Sequence, residues 1–405
     1  MSHASPRVRL MVMATSHETL GTFFVRQLAF LASHGFDIHA VCSPGPGLAL
    51  LEGVPGVTTH ALPMERRPSP IHDLRSVLDL FRLIRRLRPD IVHAHTPKAG
   101  LLGMIAATAA GVRIRLRTIH GLPLLTRKGR LRRVLGQAER LACALSTRTY
   151  CVSPSVASVV REMRLCSARK LITLGDGSCA GINLEEFDPH RQSSEQGVRH
   201  DLAIPAGALV LCYVGRIALD KGIVVLAEAW KELGPLFPNL HLLLCGGYDP
   251  TDPVPSAVLD ELRSDARVHM SGEWVTNMPA VYAATDICVL PTFREGLPQV
   301  ALEAGAMEVP LLATRVPGVV NAVAHGKTGL LVPPRDAKAL ASSARLLIEN
   351  AALRRRLGQA GRRFVAERFS ETRVNNLLLS DYRTFIGRTQ QAEPARTAVH
   401  GSAGV

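Results

Sequence analysis

The sequence predicts an α/β protein of two domains, each built on a mostly parallel sheet. Short apolar strand patterns alternate with helical patterns of roughly 10–15 residues, which is typical of βαβ units. The alternation begins near residue 8, stops at a polar stretch over residues 190–201, and begins again near residue 209. A chain of 405 residues is long enough for two domains of ordinary size, each with its own core.

The first half of the chain supplies the elements of the first domain in order. A strand over VRLMVMAT precedes a helix over TLGTFFVRQLAFLASHG, which ends at Gly35. The elements that follow are the strand FDIHAVC, a basic amphipathic helix over residues 73–88, the strand DIVHAHT, an Ala-rich helix over residues 99–110 and the strand RIRLRTIHG.

The second half repeats this alternation. Its predicted strands are ALVLCYVG, LHLLLCGG, ATDICVLPT and VPLLAT, and its predicted helices are GIVVLAEAWKEL and PQVALEAGAM. In open parallel sheets, ligands bind beyond the carboxyl ends of the strands. We therefore expect the chemistry in the loops that follow the strands, which include GRIALDKG, TFREGLPQ, HAHTPKAG and TIHGLPLLTRKGR.

The composition is that of a globular protein, with 47% apolar and 20% charged residues. No apolar run reaches the roughly 18–20 residues that cross a bilayer, and the N-terminus lacks the apolar core of a signal peptide, so we expect a cytosolic location. The cysteines are scattered without a C-x-x-C pair, and we expect reduced, buried thiols. They are Cys42, Cys143, Cys151, Cys166, Cys179, Cys212, Cys245 and Cys288.

The positive charge is concentrated in the first half of the chain. Residues 1–200 hold 27 Lys and Arg against 14 Asp and Glu, whereas residues 201–405 hold 21 against 20. Such an asymmetry indicates that the two halves face different partners. One partner of the first half is expected to be anionic, namely a membrane surface, a nucleic acid or a phosphorylated substrate.

Two cations follow the first strand of the second half. Arg216 and Lys221 lie in GRIALDKG, between that strand and a helix. The unpaired amides at a helix N-terminus attract anions, and two cations beside them suit a diphosphate. Taken alone, the segment also fits an ordinary solvated loop.

Two acids stand eight residues apart in the otherwise apolar TFREGLPQVALEAG. Pro298 fits the first position of a helix, because its missing N–H is no loss there. This places Glu295 in the entering loop and Glu303 inside the helix. The two carboxylates could bracket a ligand across the helix start and accept hydrogen bonds from sugar or ribose hydroxyls. They also fit a Glu that complements the helix dipole and a second Glu that faces solvent.

Taken together, these segments resemble the retaining glycosyltransferases of family 4, the glycosyl transferases group 1, which have the GT-B fold. The matching stretches of the second half are YVGRIALDKG, VYAATDICVLPTFREGLPQVALEAGAMEVPLLAT and HGKTGLLVPPRD. Those of the first half are RPDIVHAHTPKAGLLGMIAA, RTIHG, YCVSPSVA and residues 175–187. The pattern is most similar to the capsular-polysaccharide branch, and it covers about residues 7–370.

The resemblance implies two Rossmann-like, doubly wound domains that face each other across a cleft. It divides the chain into an acceptor-binding domain over residues 1–190, a linker over 191–206 and a nucleotide-sugar-binding domain over 207–370. A C-terminal helix over residues 371–388 is expected to return to the first domain. The tail over 389–405, polar and rich in Ala and Gly, is expected to be disordered.

The resemblance also implies a donor site in the second domain. Arg216 and Lys221 match the basic pair that holds the donor diphosphate and stabilises it as it leaves. Glu295 matches the acid beside the donor sugar, and Glu303 the acid that binds the ribose hydroxyls. Their loop completes the contact with the sugar and phosphate through Gly296, Leu297 and Pro298.

In the first domain, His120 of TIHG matches the histidine that reaches across the cleft to the transferred sugar. With Glu295, Arg216 and Lys221 it makes up the expected catalytic set. Further acceptor or cleft residues are expected in the segments MATSHETLG and HAHTPKAG, which follow the first and third predicted strands. They are His17, Gly21, His95 and Lys98.

The chain departs from the family pattern at three points. The first loop, MATSHETLG, has one glycine, Gly21, where the family often has a Gly-Gly pair near the donor phosphate. The segment usually written N-G-V-D reads Ala180 to Asn183, AGIN. No D-x-D occurs in the chain. We therefore expect a metal-independent reaction without a cofactor, in which Arg216 and Lys221 supply the positive charge.

Two basic segments offer a place for an anionic membrane surface. Residues 80–88 and 125–141 interleave Arg or Lys with aliphatic residues, as helices on an anionic leaflet do. The same pattern fits a solvated helix packed by its apolar face. We expect peripheral attachment at the inner face of the cell membrane.

The expected activity is transfer of a hexose or N-acetylhexosamine from a UDP-linked donor to a polyprenyl-diphosphate-linked saccharide. Alternatives on the same fold are a sugar-nucleotide epimerase, for which a further acid–base set is not identified, and a phosphorylase, for which a cofactor lysine is not identified. The pI of 9.9 also suggests a nucleic-acid binder. However, the basic runs lack interleaved aromatic residues for base stacking, and no nucleic-acid partner is expected.

Overall fold

The computed structural model of the protein describes residues 7–65, 67–191, 195–273, 275 and 277–391. These residues form two parallel sheets, which confirms the predicted α/β fold. The first sheet has seven strands in the order β3-β2-β1-β4-β5-β6-β7. The strands are β1 (Val8–Met13), β2 (Phe36–Cys42), β3 (Val57–Ala61), β4 (Ile91–His95), β5 (Ile114–Ile119), β6 (Arg148–Cys151) and β7 (Leu171–Ile172).

The second sheet has six strands in the order β10-β9-β8-β11-β12-β13. In each sheet the strand order reverses at one point, between β1 and β4 in the first and between β8 and β11 in the second. Ligands of open α/β sheets bind at such switch points. The strands are β8 (Leu209–Val214), β9 (Leu240–Cys245), β10 (Val268–Met270), β11 (Ile287–Leu290), β12 (Leu311–Thr314) and β13 (Gly329–Val332).

Helices connect the strands and cover the sheets. Those of the first domain are α1 (His17–Phe23), α2 (Val25–Ser33), α3 (Ala49–Glu52), α4 (Pro70–Leu87), α5 (Pro97–Ala109), α6 (Gly129–Leu145) and α7 (Pro154–Glu162). Those that follow are α8 (Glu195–Asp201), α9 (Ile223–Leu236), α10 (Ser256–Ser264), α11 (Met278–Ala283), α12 (Gln299–Ala306), α13 (Val319–Ala322), α14 (Ala337–Glu349), α15 (Ala351–Phe369) and α16 (Glu371–Gln391).

Strand β1 is buried on both faces, which explains its continuous apolar run. Successive side chains of a strand point to opposite faces. Accordingly, Leu10 and Val12 pack in a core with residues of α2 and α16. Met11 and Met13 pack in another core with residues of α4 and α5. One short apolar segment therefore holds two layers of helices on the sheet.

The structure corrects two predicted elements. The helix expected over residues 19–35 is broken at Phe24, whose φ of −115° departs from helical geometry, and the Phe24 ring packs 4.5 Å from the ring of His95. The expected linker over residues 191–206 contains the helix α8. Arg199 of this helix donates hydrogen bonds to Ala208 O and to Asp286, which attach α8 to the second domain. Residues 392–405 of the expected disordered tail lie outside the described residues.

Helix α16 lies against the first domain although it follows the second in sequence. Leu378, Leu379 and Tyr382 join the core around β1 and β2. Asp381 accepts hydrogen bonds from Arg148 and from the Tyr150 hydroxyl, the latter at 2.6 Å. The first domain is thus built from both ends of the chain.

The cysteines are free thiols, and all are buried except Cys166 and Cys179, which are partly exposed. Within the part of the chain that the structure describes, no helix combines the length and apolarity needed to span a bilayer.

Candidate active site

The carboxyl-end loops of the two sheets are in contact. The Ser153 hydroxyl, after β6, donates a hydrogen bond to Gly296 O at 2.6 Å. A Cβ at Gly296 would lie 1.9 Å from the carbonyl oxygen of His120, after β5. Only glycine therefore lets the loop after β11 come this close to the first domain. The predicted positions of Glu295 and His120 are consequently brought to one place from opposite domains.

The loops after β8 and β11 bring the predicted cations to the predicted acid. Lys221 Nζ donates to Glu295 Oε1 at 2.5 Å. Arg216 pairs with Asp249, which follows β9, and more distantly with Asp220 at 3.7 Å. We call Arg216, Lys221, Asp249 and Glu295 the ion-pair cluster. All four side chains are largely shielded from solvent, so these pairs are screened less than surface ion pairs.

Glu303 lies apart from the cations, inside α12. Its carboxylate accepts a hydrogen bond from the Tyr282 hydroxyl at 2.9 Å. Burial raises the pKa of Glu303 to about 7, although the Tyr282 hydrogen bond opposes this shift. Pro298 is the N-cap residue of α12, so the helix begins at Gln299, one residue later than predicted. The two acids therefore flank the helix start, as expected, but they have different partners.

Three histidines lie on the neighbouring strands β4 and β5, His93 and His95 within β4 and His120 directly after β5, and we call them the histidine cluster. His95 Nδ1 and His120 Nε2 are joined by a hydrogen bond of 2.9 Å. Burial lowers the pKa of His93 to about 3 and that of His120 to about 4, where Arg117 adds to the effect. The pKa of His95 is also lowered by burial. All three imidazoles are consequently neutral near pH 7.

The remaining predicted first-domain residues have local partners. His17 Nδ1 accepts a hydrogen bond from Gly47 N at 3.2 Å. Gly21 packs against the backbone of Gly47, where a Cβ would come within 2.5 Å of the carbonyl oxygen. Lys98 pairs with Asp73 of α4 at 2.7 Å. His17 and Gly21 thus both contact Gly47, and Lys98 forms an ion pair within the first domain.

Several residues of the site were not predicted. Asp249 lies in the strand-end loop GGYDPTDP, a position that could have marked it, but no motif singled it out. Arg294 pairs with Asp220 at 2.6 Å and donates to the first-domain Thr126 Oγ1 at 3.1 Å. Tyr282 and Ser153 gave no signal, because a single hydroxyl residue in an apolar segment is common. Their roles depend on distant parts of the chain meeting in the fold.

Comparison with solved structures finds the same architecture over nearly the whole chain. Sucrose-phosphate synthase from Thermosynechococcus elongatus superposes with a TM-score of 0.77 at 22% identity, covering 94% of this chain and all of that one. The Anabaena protein HepE, in a structure described as a complex with UDP and glucose, has a TM-score of 0.77 at 17% identity and covers 93% of this chain and all of its own.

Comparison of sequences finds relatives of similar length. The Staphylococcus aureus capsular polysaccharide biosynthesis glycosyltransferase CapM is 33% identical over 90% of this chain and 94% of its own. An Escherichia coli protein named UDP-Gal:alpha-D-GlcNAc-diphosphoundecaprenol alpha-1,3-galactosyltransferase is 26% identical over 77% of this chain and 80% of its own. Family models match as well: Glycosyltransferase Family 4 over residues 20–174 and Glycosyl transferases group 1 over residues 195–364.

Two doubly wound domains that meet at the carboxyl ends of their strands, with the ion-pair and histidine clusters at that junction, define the GT-B fold class. Within this class the sequence matches are specific. The chain belongs to glycosyltransferase family 4, the glycosyl transferases group 1.

Proposed function

We propose that this protein is a retaining glycosyltransferase that moves a sugar from a UDP-linked donor to a polyprenyl-diphosphate-linked saccharide. The observation that carries the proposal is the Lys221–Glu295 pair at the switch point of the second sheet, with Arg216 beside it and His120 across the cleft. The names of the relatives support the substrate classes, since one lists a UDP-sugar with a diphosphoundecaprenol acceptor and a structural neighbour is described with UDP-glucose.

In this proposal the ion-pair cluster binds and stabilises the leaving diphosphate. Arg216 and Lys221 already face carboxylates, which hold the two side chains in position before they meet the donor. Each cation keeps N–H groups beyond those used in these pairs, because an ammonium carries three and a guanidinium five. Preorganised donors of this kind stabilise charge that develops in the transition state. They would supply that charge without a metal ion.

The two acids take separate parts of the donor. Glu295, held by Lys221, would accept hydrogen bonds from the sugar, and Glu303 would accept them from the ribose. Attack and departure would occur on the same face of the sugar, as expected for a retaining enzyme. We nominate no side chain as a covalent nucleophile.

The first domain would receive the acceptor and its membrane. Helices α4 and α6 flank α5 on one side of the first sheet, and they expose large apolar side chains. These are Ile71, Leu74, Leu78, Leu131, Val134 and Leu141. Arginines accompany them on both helices. Apolar side chains among arginines suit an anionic leaflet, and we propose peripheral attachment there, at the cytosolic face.

Incubation with a panel of UDP-sugars and a synthetic polyprenyl-diphosphate saccharide tests the proposal. We expect one UDP-sugar to raise the melting temperature, because a ligand that binds the folded form stabilises it. We expect that donor to yield an elongated lipid product whose new linkage keeps the donor's anomeric configuration by NMR, with equal rates in EDTA. An inverted linkage, or consumption of the donor by epimerisation without product, would contradict the proposal.

A further inference from the structure

The histidine cluster contains two histidines that the proposed function does not use. His93 and His95 are the third and fifth residues of β4, and only 2% and 3% of their surfaces are exposed. Buried polar groups need hydrogen-bond partners, and both rings have them. Since β4 ends at the cleft, the partners of its last residue bear directly on the site.

Both nitrogens of His93 are engaged within the protein. His93 Nδ1 bonds to the Tyr382 hydroxyl of α16, and His93 Nε2 bonds to Thr118 Oγ1 at 2.7 Å. Its ring packs on that of His95, with centroids 4.2 Å apart. His93 therefore supports the ring of His95.

His95 contacts the residue that faces the cleft. Its Nδ1 lies 2.9 Å from Nε2 of His120, and the Phe24 ring packs against both imidazoles. Because both rings are neutral, one N–H occupies the bond between them, and the protonation of one ring fixes that of the other. The Nε2 of His120 is thereby committed to His95, which leaves Nδ1 of His120 for a substrate.

We propose that His95 is a positioning residue that fixes the tautomer and orientation of His120, so that His120 presents Nδ1 to the transferred sugar. The inference rests on the proposed function for its effect on the rate. For the tautomer it rests on the His95–His120 contact between two neutral rings. A fixed imidazole keeps its hydrogen bond aligned during the reaction, whereas a free ring would rotate and exchange its proton between the two nitrogens.

Three substitutions at residue 95 separate this role from simple packing. His95→Asn places an amide where Nδ1 stood, and that amide is able to donate or accept. His95→Gln places its amide further from the backbone, and His95→Phe keeps the ring volume without a polar atom. We expect kcat to fall by about 10- to 100-fold in the Phe and Gln variants, with KM for the donor changed less than about two-fold. The Asn variant is expected to recover most of kcat.

The second domain offers a matched control. His241 Nδ1 and His269 Nε2 are joined by a similar bond of 3.0 Å between neighbouring strands, but His241 lies near the start of β9, away from the carboxyl ends. His241→Phe therefore removes an equivalent hydrogen bond and is expected to leave kcat unchanged. If it lowered kcat as much as His95→Phe does, the loss would reflect packing and the proposal would be wrong.

A double-mutant cycle with His120→Ala completes the test. If His95 acts through His120, His95→Phe lowers kcat in the parent but has little further effect in the His120→Ala background. Additive losses would overturn the proposal. Nitrogen-15 NMR of the whole protein reads the tautomer directly: His120 should show one tautomer in the parent and a mixture in His95→Phe. That measurement needs no substrate, so failure of the proposed reaction and failure of this inference are distinguishable.

Discussion

The first-domain wall of the cleft presents neutral histidines, whereas the second-domain wall presents ion pairs. The charged side chains of the cleft thus belong to the half with the smaller net charge, because the first half carries nearly the whole surplus of Lys and Arg. In the first domain α4 and α6 carry four arginines each, whereas His93 and His95 are buried and His120 is partly exposed. In the second domain few excess charges remain, yet Arg216 and Lys221 sit at the switch point of the sheet.

The difference separates two ways of recognising a ligand. Neutral imidazoles bind through hydrogen bonds that depend on geometry and that salt screens little. In the proposed function the ion-pair cluster would bind through charge, which suits a diphosphate. The net charge of a domain therefore does not show where the candidate site lies. The two walls of the cleft can be tested separately, by substitutions and by changes of pH.

Removing a cation from the second-domain wall should have the largest effect. Lys221→Ala is expected to lower kcat/KM by about 10²–10³-fold, the typical loss for one donor that stabilises developing charge. It also leaves Glu295 without its partner. Steady-state kinetics with the UDP-sugar measures the loss. Lys231→Ala, which removes an exposed surface pair with Glu261, serves as the control and should leave kcat/KM unchanged.

Neutralising first-domain charge should affect attachment and not chemistry. Replacing Arg130, Arg132 and Arg133 by Gln is expected to reduce co-sedimentation with anionic liposomes, since each basic residue near such a surface contributes about 1 kcal/mol. Hydrolysis of the soluble donor should be unaffected. Equal sedimentation of the parent and the triple variant would argue against α6 as a membrane helix.

Glu303→Gln should weaken donor binding by about 1.5–3 kcal/mol, the value of a hydrogen bond to a charged group. Because burial raises the pKa of Glu303 to about 7, the parent loses its carboxylate charge in acid. The difference in affinity between parent and variant, measured by calorimetry, should therefore be larger at pH 8 than at pH 6. Unchanged affinity at both values would remove Glu303 from the donor site.

The two walls should respond to pH with opposite signs. Glu303 in the folded protein holds a proton that the unfolded chain releases between about pH 4.5 and 7, so its contribution to the free energy of unfolding falls as pH rises. His120 has its pKa lowered to about 4. Its contribution is complete above pH 6.5 and is lost as pH falls toward 4.

These two slopes can be measured by urea unfolding of matched variants. Glu303→Gln should gain stability relative to the parent on going from pH 5 to pH 8. His120→Asn should lose less stability than the parent on going from pH 7 to pH 4. If the stability difference between variant and parent rose with pH in both cases, or fell with pH in both cases, the two walls would not differ as described.

Much of the fold could be predicted from the sequence, because alternation and apolar runs are local signals. The strands β1, β2, β4, β5, β8, β9, β11 and β12 were predicted, but β3, β6, β7, β10 and β13 were not. Strand β7 has two residues and only partial burial, so it has no pattern to detect. The break at Phe24 was also missed; the ring there packs against His95, a contact between residues far apart in the sequence.

The candidate site could be predicted only where its residues belong to recognisable motifs. Arg216, Lys221, Glu295 and His120 stand in recognisable segments, and the structure brings them to one junction. The pairing of Arg216 with Asp249 and of Tyr282 with Glu303 joins residues 33 and 21 positions apart. A single sequence carries no signal for such pairs.

Helix α16 has a consequence for the order in which the protein is made. Domains generally fold as units during synthesis, beginning at the N-terminus. Here the core of the first domain includes Leu378, Leu379 and Tyr382, which leave the ribosome after the whole second domain. The first domain is therefore completed last, and a ribosome that stops before residue 371 would leave a finished second domain beside an unfinished first domain.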